Sequence, residues 1–378
     1  MPVAAHKLLR ELISLPSVNP AFLADRADLT GEQRVAAYLA STADRAGLEL
    51  EWQEVFPGRS NVLLRLTPAG GNIRRRILLA PHMDTVGVDS EARFQPVLKA
   101  GRLHGRGACD TKGSIACYLA AMLELAARGP RPRGTEIILT ALVDEENNQS
   151  GSRALAKAKC NANLAIVGEP TLCKIVTAHK GDLWLRVTTH GKSAHGSKPH
   201  LGKNAVHAMA RVVEELETRY AATLKRRTHP LLGHATVNVG FIAGGKQPNI
   251  VPDRCEILID RRTLPGESDA AVFAELSALI RRLGVNAELT DTKNAPCPAL
   301  ETDPNLPLVR QLTRCAGQRR TLGVDYFSDA AVLASGGIPS VLLGPGDIAQ
   351  AHTADEWVAL AQLERLTRLL VKFLRDQP

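Results

Sequence analysis

In Leu183-Trp184-Leu185-Arg186-Val187-Thr188-Thr189, Leu183, Leu185 and Val187 fall on one face, the period-two pattern of a half-buried strand. Further along the chain, Asn204–Tyr220 reads as a helix, Thr236–Phe241 and Glu256–Arg261 as strands, Asp269–Arg282 as a helix and Ala287–Thr292 as a strand. The order β-α-β-β-α-β is the ferredoxin-like split unit, and it fills residues 181–293.

On either side the style is different. Apolar positions at helical spacing run from Ala4 to Leu15 and from Thr30 to Ala46, where Thr30 reads as an N-cap with Gln33 as its capping-box partner. Short β-rich runs follow at Asn61–Leu66, Arg76–Ala80, Glu136–Leu142 and Leu164–Val167, with a long apolar helix, Ser114–Ala127, between them. After residue 293 come a helical Leu306–Ala316, a short buried strand at Ser340–Gly344 and a final helix over Ala354–Leu374. Strands alternating with helices imply an α/β fold, a mixed sheet with helices on both faces. A chain of 378 residues is also too long for one ordinary core. The reading is therefore one α/β domain in two parts, 1–180 and 294–378, with a compact ferredoxin-like α+β domain inserted at 181–293.

Composition narrows the function. Hydrophobic residues make up 44% and charged residues 23%, as in an ordinary globular chain. Aromatics, at 4%, are too few for a stacking platform on single-stranded nucleic acid. The net charge is +8, but the densest basic runs, Arg74-Arg75-Arg76 and Lys225-Arg226-Arg227, are three residues long. That favours small anionic substrates over nucleic acid. Seven cysteines without a Cys-x-x-Cys pair argue against a disulfide framework or zinc knuckle. No run approaches the about 20 apolar residues of a membrane helix, and the first residues carry no signal-like apolar stretch. The expectation is a cytoplasmic protein with neither a membrane nor a nucleic-acid partner.

Five acidic or histidine-bearing segments stand out, four of them directly following predicted strands or tight glycine turns. Leu78-Leu79-Ala80-Pro81-His82-Met83-Asp84 runs an apolar strand into His-x-Asp, where the histidine can bind a metal while a carboxylate fixes its tautomer. Alone, the pair reads equally well as a surface turn. Gly105-Arg106-Gly107-Ala108-Cys109-Asp110-Thr111-Lys112-Gly113 lacks the spacing of a phosphate loop, leaving Asp110 as a ligand on a tight turn. Leu139-Thr140-Ala141-Leu142-Val143-Asp144-Glu145-Glu146 puts three mutually repelling acids at the end of an apolar strand. Leu164-Ala165-Ile166-Val167-Gly168-Glu169-Pro170 repeats the design, and Gln350-Ala351-His352 precedes the last helix. Open α/β sheets bind ligands at the carboxyl ends of their strands.

His82, Asp110, Glu146, Glu169 and His352 offer two imidazoles and three carboxylates, which suits two metals. If Asp110 bridges, each metal keeps one histidine and one terminal carboxylate. Nitrogen and oxygen ligands without thiolate suit zinc, with cobalt or manganese as alternatives. Glu145 is left over beside a ligand, free to act as general base on a water held there.

These motifs resemble the acetylornithine deacetylase, succinyl-diaminopimelate desuccinylase and glutamate carboxypeptidase family of di-zinc hydrolases. The likeness runs from His6 to Phe373 and includes Gly191-Lys192-Ser193-Ala194-His195 and Pro248-Asn249-Ile250-Val251-Pro252. The resemblance implies that His82 and Glu169 hold one zinc, that Glu146 and His352 hold the other, and that Asp110 bridges them. It implies that Asp84 orients His82 and that Glu145 is the base that later protonates the leaving amine. His195 would reach into the partner subunit's active site and steady the oxyanion, which requires a homodimer through the inserted domain and a hinge near residues 180 and 293. Asn249 and Arg261 match positions that meet the substrate carboxylate in relatives, although Arg262 stands one residue away. The segment Asp325-Tyr326-Phe327-Ser328-Asp329-Ala330-Ala331 departs from branches that carry an arginine after the aspartate, and reads as part of the substrate pocket. Gly344-Pro345-Gly346 with Gln350-Ala351-His352 looks most like the acetylornithine deacetylases. The expected reaction is removal of an acyl group, acetyl first, from an N-acyl amino acid. The alternatives are a succinyl-diaminopimelate desuccinylase and a metallo-carboxypeptidase or dipeptidase. A binding protein that had lost its chemistry should also have lost a ligand or the base, and none is missing.

Overall fold

The computed structural model of the chain describes residues 4–128, 131–158, 160–293 and 295–378. It divides into a first unit, Met1–Thr177 with Thr302–Leu322 and Ser328–Pro378, and a second, Ala178–Glu301 with Gly323–Phe327. The second unit extends past residues 181–293 on both sides.

The first unit opens with α1 (Ala5–Ile13), α2 (Gln33–Arg45), β1 (Glu49–Phe56), β2 (Arg59–Leu66) and β3 (Arg75–Ala80). It goes on through β4 (Val97–Lys99), β5 (Arg102–His104), α3 (Lys112–Arg128), β6 (Thr135–Ala141), α4 (Ser150–Lys157) and β7 (Leu164–Val167). Thr30 does not cap α2. The N-cap position is Glu32, without a side-chain cap, and its carboxylate is taken by Arg59 instead.

The second unit holds β8 (Gly181–His190), α5 (Ala205–Glu215), β9 (Thr236–Gly244), β10 (Arg254–Thr263), α6 (Asp269–Arg282) and β11 (Ala287–Asp291). Its sheet is antiparallel throughout in the order β9-β10-β8-β11, the ferredoxin-like arrangement. Leu183, Leu185 and Val187 are all buried and share a core with Ile257, Ile259, Met209, Val212, Leu276 and Leu279. A one-residue slip of β8 would turn its three apolar side chains outward, so burial fixes the register.

The first unit resumes with α7 (Pro307–Cys315), α8 (Asp329–Ser335), β12 (Ser340–Leu342), β13 (Trp357–Ala359) and α9 (Leu360–Arg375). The last helix starts later than its apolar pattern suggests, because Trp357–Ala359 pairs with Arg102–His104 as a strand. Six strands lie side by side in the order β1-β2-β6-β3-β7-β12. β6, β3, β7 and β12 run parallel, and β1 and β2 complete the edge antiparallel, giving a mixed sheet. Leu64, Ile77, Leu79, Ile137 and Ile166 belong to one core with Leu9 and Leu12 of α1, Leu39 of α2, Ile115 and Tyr118 of α3, and Leu366 and Phe373 of α9. Across the sheet α8 packs on α4, β7 and β12, so both faces are covered. Among the described residues no helix is long and apolar enough to cross a membrane.

Candidate metal centre

The parallel run β6-β3-β7 brings its carboxyl ends to one edge. Leu79 pairs with both Leu139 and Ile166, and His82 bridges Leu142. His82, the Asp144-Glu145-Glu146 turn and Glu169 therefore emerge side by side, though they are far apart in sequence. Asp110 joins them from the glycine loop before α3, and His352 from the loop before β13.

His82 is buried, its Nε2 3.1 Å from Asp110 Oδ1. His352 approaches the other oxygen of the same carboxylate, its Nε2 3.3 Å from Asp110 Oδ2 and 3.1 Å from Glu146 Oε2. Ligand atoms of His82, Asp110 and Glu146 lie within 4.8 Å of one another. Glu146 Oε1 and Glu169 Oε1 are buried with no hydrogen-bond partner.

The charges are out of balance. Burial, and next the charge of Glu169, push the Glu145 carboxyl well above the usual carboxylate range. Glu169 and Glu146 are raised as well, each by burial and then by Asp110. Burial opposes ionisation of Asp110 too, but hydrogen bonds from His352 and His82 outweigh it and hold its carboxyl low. The same contacts raise the histidines: His82 against the effect of its burial, and His352 to about 10 through Asp110 and then Glu146. Buried oxygens without donors among mutually repelling carboxylates, with two imidazoles at hand, fit divalent cations of mixed nitrogen and oxygen ligation.

The tautomer of His82 is fixed differently from the sequence expectation. Its Nδ1 donates to the backbone carbonyl of Asp84 at 2.9 Å, while the Asp84 carboxylate lies 3.5 Å away. That carboxylate instead accepts from the backbone N–H groups of Glu145 and Glu146, at 3.1 and 3.0 Å, and from Asn19 at 2.7 Å. Asp84 thus ties the histidine to the acidic turn, its carbonyl holding one and its side chain the other. Nε2 of the charged ring donates to Asp110, and a cation that displaced that proton would find the nitrogen lone pair free there.

Asp144, first of the three acids, is a structural anchor. It sits at φ +64° and accepts from Asn19, Arg59 and Ser150, while its N–H donates to Glu32, 112 residues away. Sequence reasoning passed over Asn19, Glu32 and Arg59, because nothing near each of them in the chain marks its distant partner.

In the second unit His195 and Asn249 come together. His195 bridges Ile250, and Gly196 N donates to Asn249 O at 2.7 Å. A side chain at Gly196 would meet the Asn249 backbone at 2.9 Å, so this approach needs glycine. His195 is exposed, and its Nδ1 accepts the Ser197 N–H at 3.2 Å. A backbone N–H can only donate, so the neutral ring carries its proton on Nε2. A groove of about 570 Å³ lined by Gly196, Asn204, Gly245, Gln247 and Ile250 lies alongside.

Arg261 is not available to a substrate. It is fully buried on the core face of β10, its guanidinium donating to Tyr220, to the Arg262 carbonyl and to Glu267 at 2.6 Å. Strand alternation puts Arg262 on the other face, part exposed beside Asp260 and Asp182. Ala330 and Ala331, expected to shape the pocket, are buried in α8. Asp329 there is buried too, accepts from Ser152, and leaves its second oxygen without a partner.

Residues 78–376 match the Peptidase family M20/M25/M40. An acetylornithine deacetylase of Aliivibrio fischeri is 30% identical over 377 residues, covering 97% of this chain and 96% of its own. Among solved structures, the aminopeptidase PepT of Bacillus cereus superposes with a TM-score of 0.79 at 22% identity, over 98% of this chain and 97% of that one. A Bacillus subtilis protein described as a dinuclear metal binding peptidase of the M20 family gives 0.71 at 13% identity, over 98% and 96%.

Proposed function

We propose a reaction from one established premise: this chain belongs to Peptidase family M20/M25/M40 and is a metal-dependent hydrolase. The reaction is hydrolysis of the amide bond of an N-acyl amino acid, with N-acetylornithine as the preferred substrate. One observation carries the chemistry: two histidines approach opposite oxygens of Asp110, the arrangement of a bridging carboxylate. His82 and Glu169 would hold one metal and Glu146 and His352 the second, zinc by ligand type. Bound there, the metals would supply Lewis-acid activation of water and of the scissile carbonyl.

The remaining work falls to side chains. Glu145 takes a proton from the attacking water and delivers it to the nitrogen as the C–N bond breaks; the carboxylic acid so formed gives its own proton to the released amine, so the products are a carboxylate and a protonated amine. The Asp84 carboxylate holds the Glu145 backbone for that transfer. His195, acting across a homodimer, donates from Nε2 to the carbonyl oxygen as negative charge builds on it. Arg262 replaces Arg261 as the fork for the substrate carboxylate, which Asn249 also meets. The dimer forms through the second unit, whose edge strand β9 exposes Phe241 and Ile242. Free cysteines throughout the chain support a reducing, cytoplasmic setting.

The choice of acyl group rests on the deacetylase relatives. Purified protein with zinc or cobalt added is assayed on N-acetylornithine, succinyl-diaminopimelate and dipeptides. The expected result is the highest kcat/KM on N-acetylornithine. Dipeptide cleavage with no deacylation would make the protein a peptidase.

A further inference from the structure

We propose that Glu356 is a positioning residue that clamps the Asp110 loop to the His352 segment and so sets the geometry in which both meet a metal pair. The inference rests on the two-metal reading. Glu356 is 3% exposed and its carboxylate takes four hydrogen bonds. Oε1 accepts from the N–H groups of Cys109 and Asp110 at 2.7 and 3.0 Å. Oε2 accepts from the Gly107 N–H at 2.9 Å and from Arg106 Nη1 at 2.8 Å. The Glu356 carbonyl also accepts the Gly105 N–H at 3.0 Å, and the next residue begins β13 against β5.

One carboxylate thus satisfies three backbone N–H groups of the loop and the adjacent guanidinium, which uses the acceptor capacity of both oxygens. Gly107 lies at φ +82°, a backbone state that L side chains rarely adopt. His352 stands four residues before Glu356 on the same segment. Through Glu356, the bridging aspartate of one segment and the terminal histidine of the other are held by a single group. Glutamine is nearly the same size but presents N–H groups where Oε2 accepts, so two donors would face a donor.

The test uses full-length protein stripped with a chelator. Wild type and Glu356→Gln are titrated with zinc by calorimetry, and the melting temperature of each metal-free protein is recorded. Zinc binding about 10–100-fold weaker is expected, the usual effect of losing a group that orients ligands. Wild-type zinc affinity in the variant overturns the assignment, including when melting is lowered, because a purely structural carboxylate would move only the melting temperature. If Glu356→Gln yields no folded protein, Glu356→Asp, which keeps the charge but shortens the reach, is measured in the same way. A severalfold loss supports the clamp, and unchanged affinity overturns it. A wild type that takes up no zinc pair fails the two-metal reading itself.

Discussion

Glu145→Gln leaves both metals bound and lowers kcat by about 10²–10⁴-fold, the range that a positioned general base contributes. The substitution keeps the volume of the side chain and the Glu145 N–H bond to Asp84, and it removes only the oxygen that can take a proton. KM should change little, since the group acts on the reacting atoms rather than on the substrate's ends. Glu146→Gln is the contrast: it alters the contact to His352 and should weaken one metal site, with activity partly restored by excess metal. Full turnover by Glu145→Gln with intact metal content would remove Glu145 from the mechanism.

His195→Ala costs about 10²–10³-fold in kcat if His195 is the main oxyanion donor, with metal content and assembly unchanged. The residue is exposed and its side-chain hydrogen bonds stay within the turn to Ser197, so truncation should not disturb the fold. Mixing His195→Ala with Glu145→Gln protein tests whether it acts in trans. In a heterodimer one site collects both defects and the other collects neither. Two nearly inactive proteins should regain activity after subunit exchange, up to about half of wild type per heterodimer if the sites are independent. Exchange verified by mass, with no activity regained, would confine His195 to its own subunit or to no role.

Much of this was legible in the sequence because its signals are local. The alternation of Leu183, Leu185 and Val187 announces a strand without knowledge of its neighbours, and apolar runs giving way to His82, to Asp144-Glu145-Glu146 and to Glu169 mark strand ends. Whatever depends on pairing was not legible. Trp357–Ala359 reads as the start of a helix until Arg102–His104 is beside it. Asp84 carries a ligand histidine in the sequence pattern, but only the fold shows its carboxylate turned to Glu145 and Glu146. Arg261 and Arg262 are chemically alike, and the choice between them is made by which face of β10 meets the core. Glu32, Arg59 and Glu356 hold loops from far along the chain, and no spacing rule reaches them.

Calorimetric titration of chelator-stripped wild-type protein with zinc, run in two buffers of different ionisation enthalpy, bears on the metal pair itself. Two equivalents per chain are expected to bind, with release of more than one proton at pH 7. Without metal, His352 is protonated up to about pH 10, His82 is held charged, and Glu146 and Glu169 have raised affinity for protons. Cations must displace those protons, so affinity rises with pH and falls as the solution is acidified. Uptake of two equivalents with proton release, and activity returning in step, is the expected outcome. Saturation at one equivalent or none, or hydrolysis undiminished in the stripped protein, would contradict it.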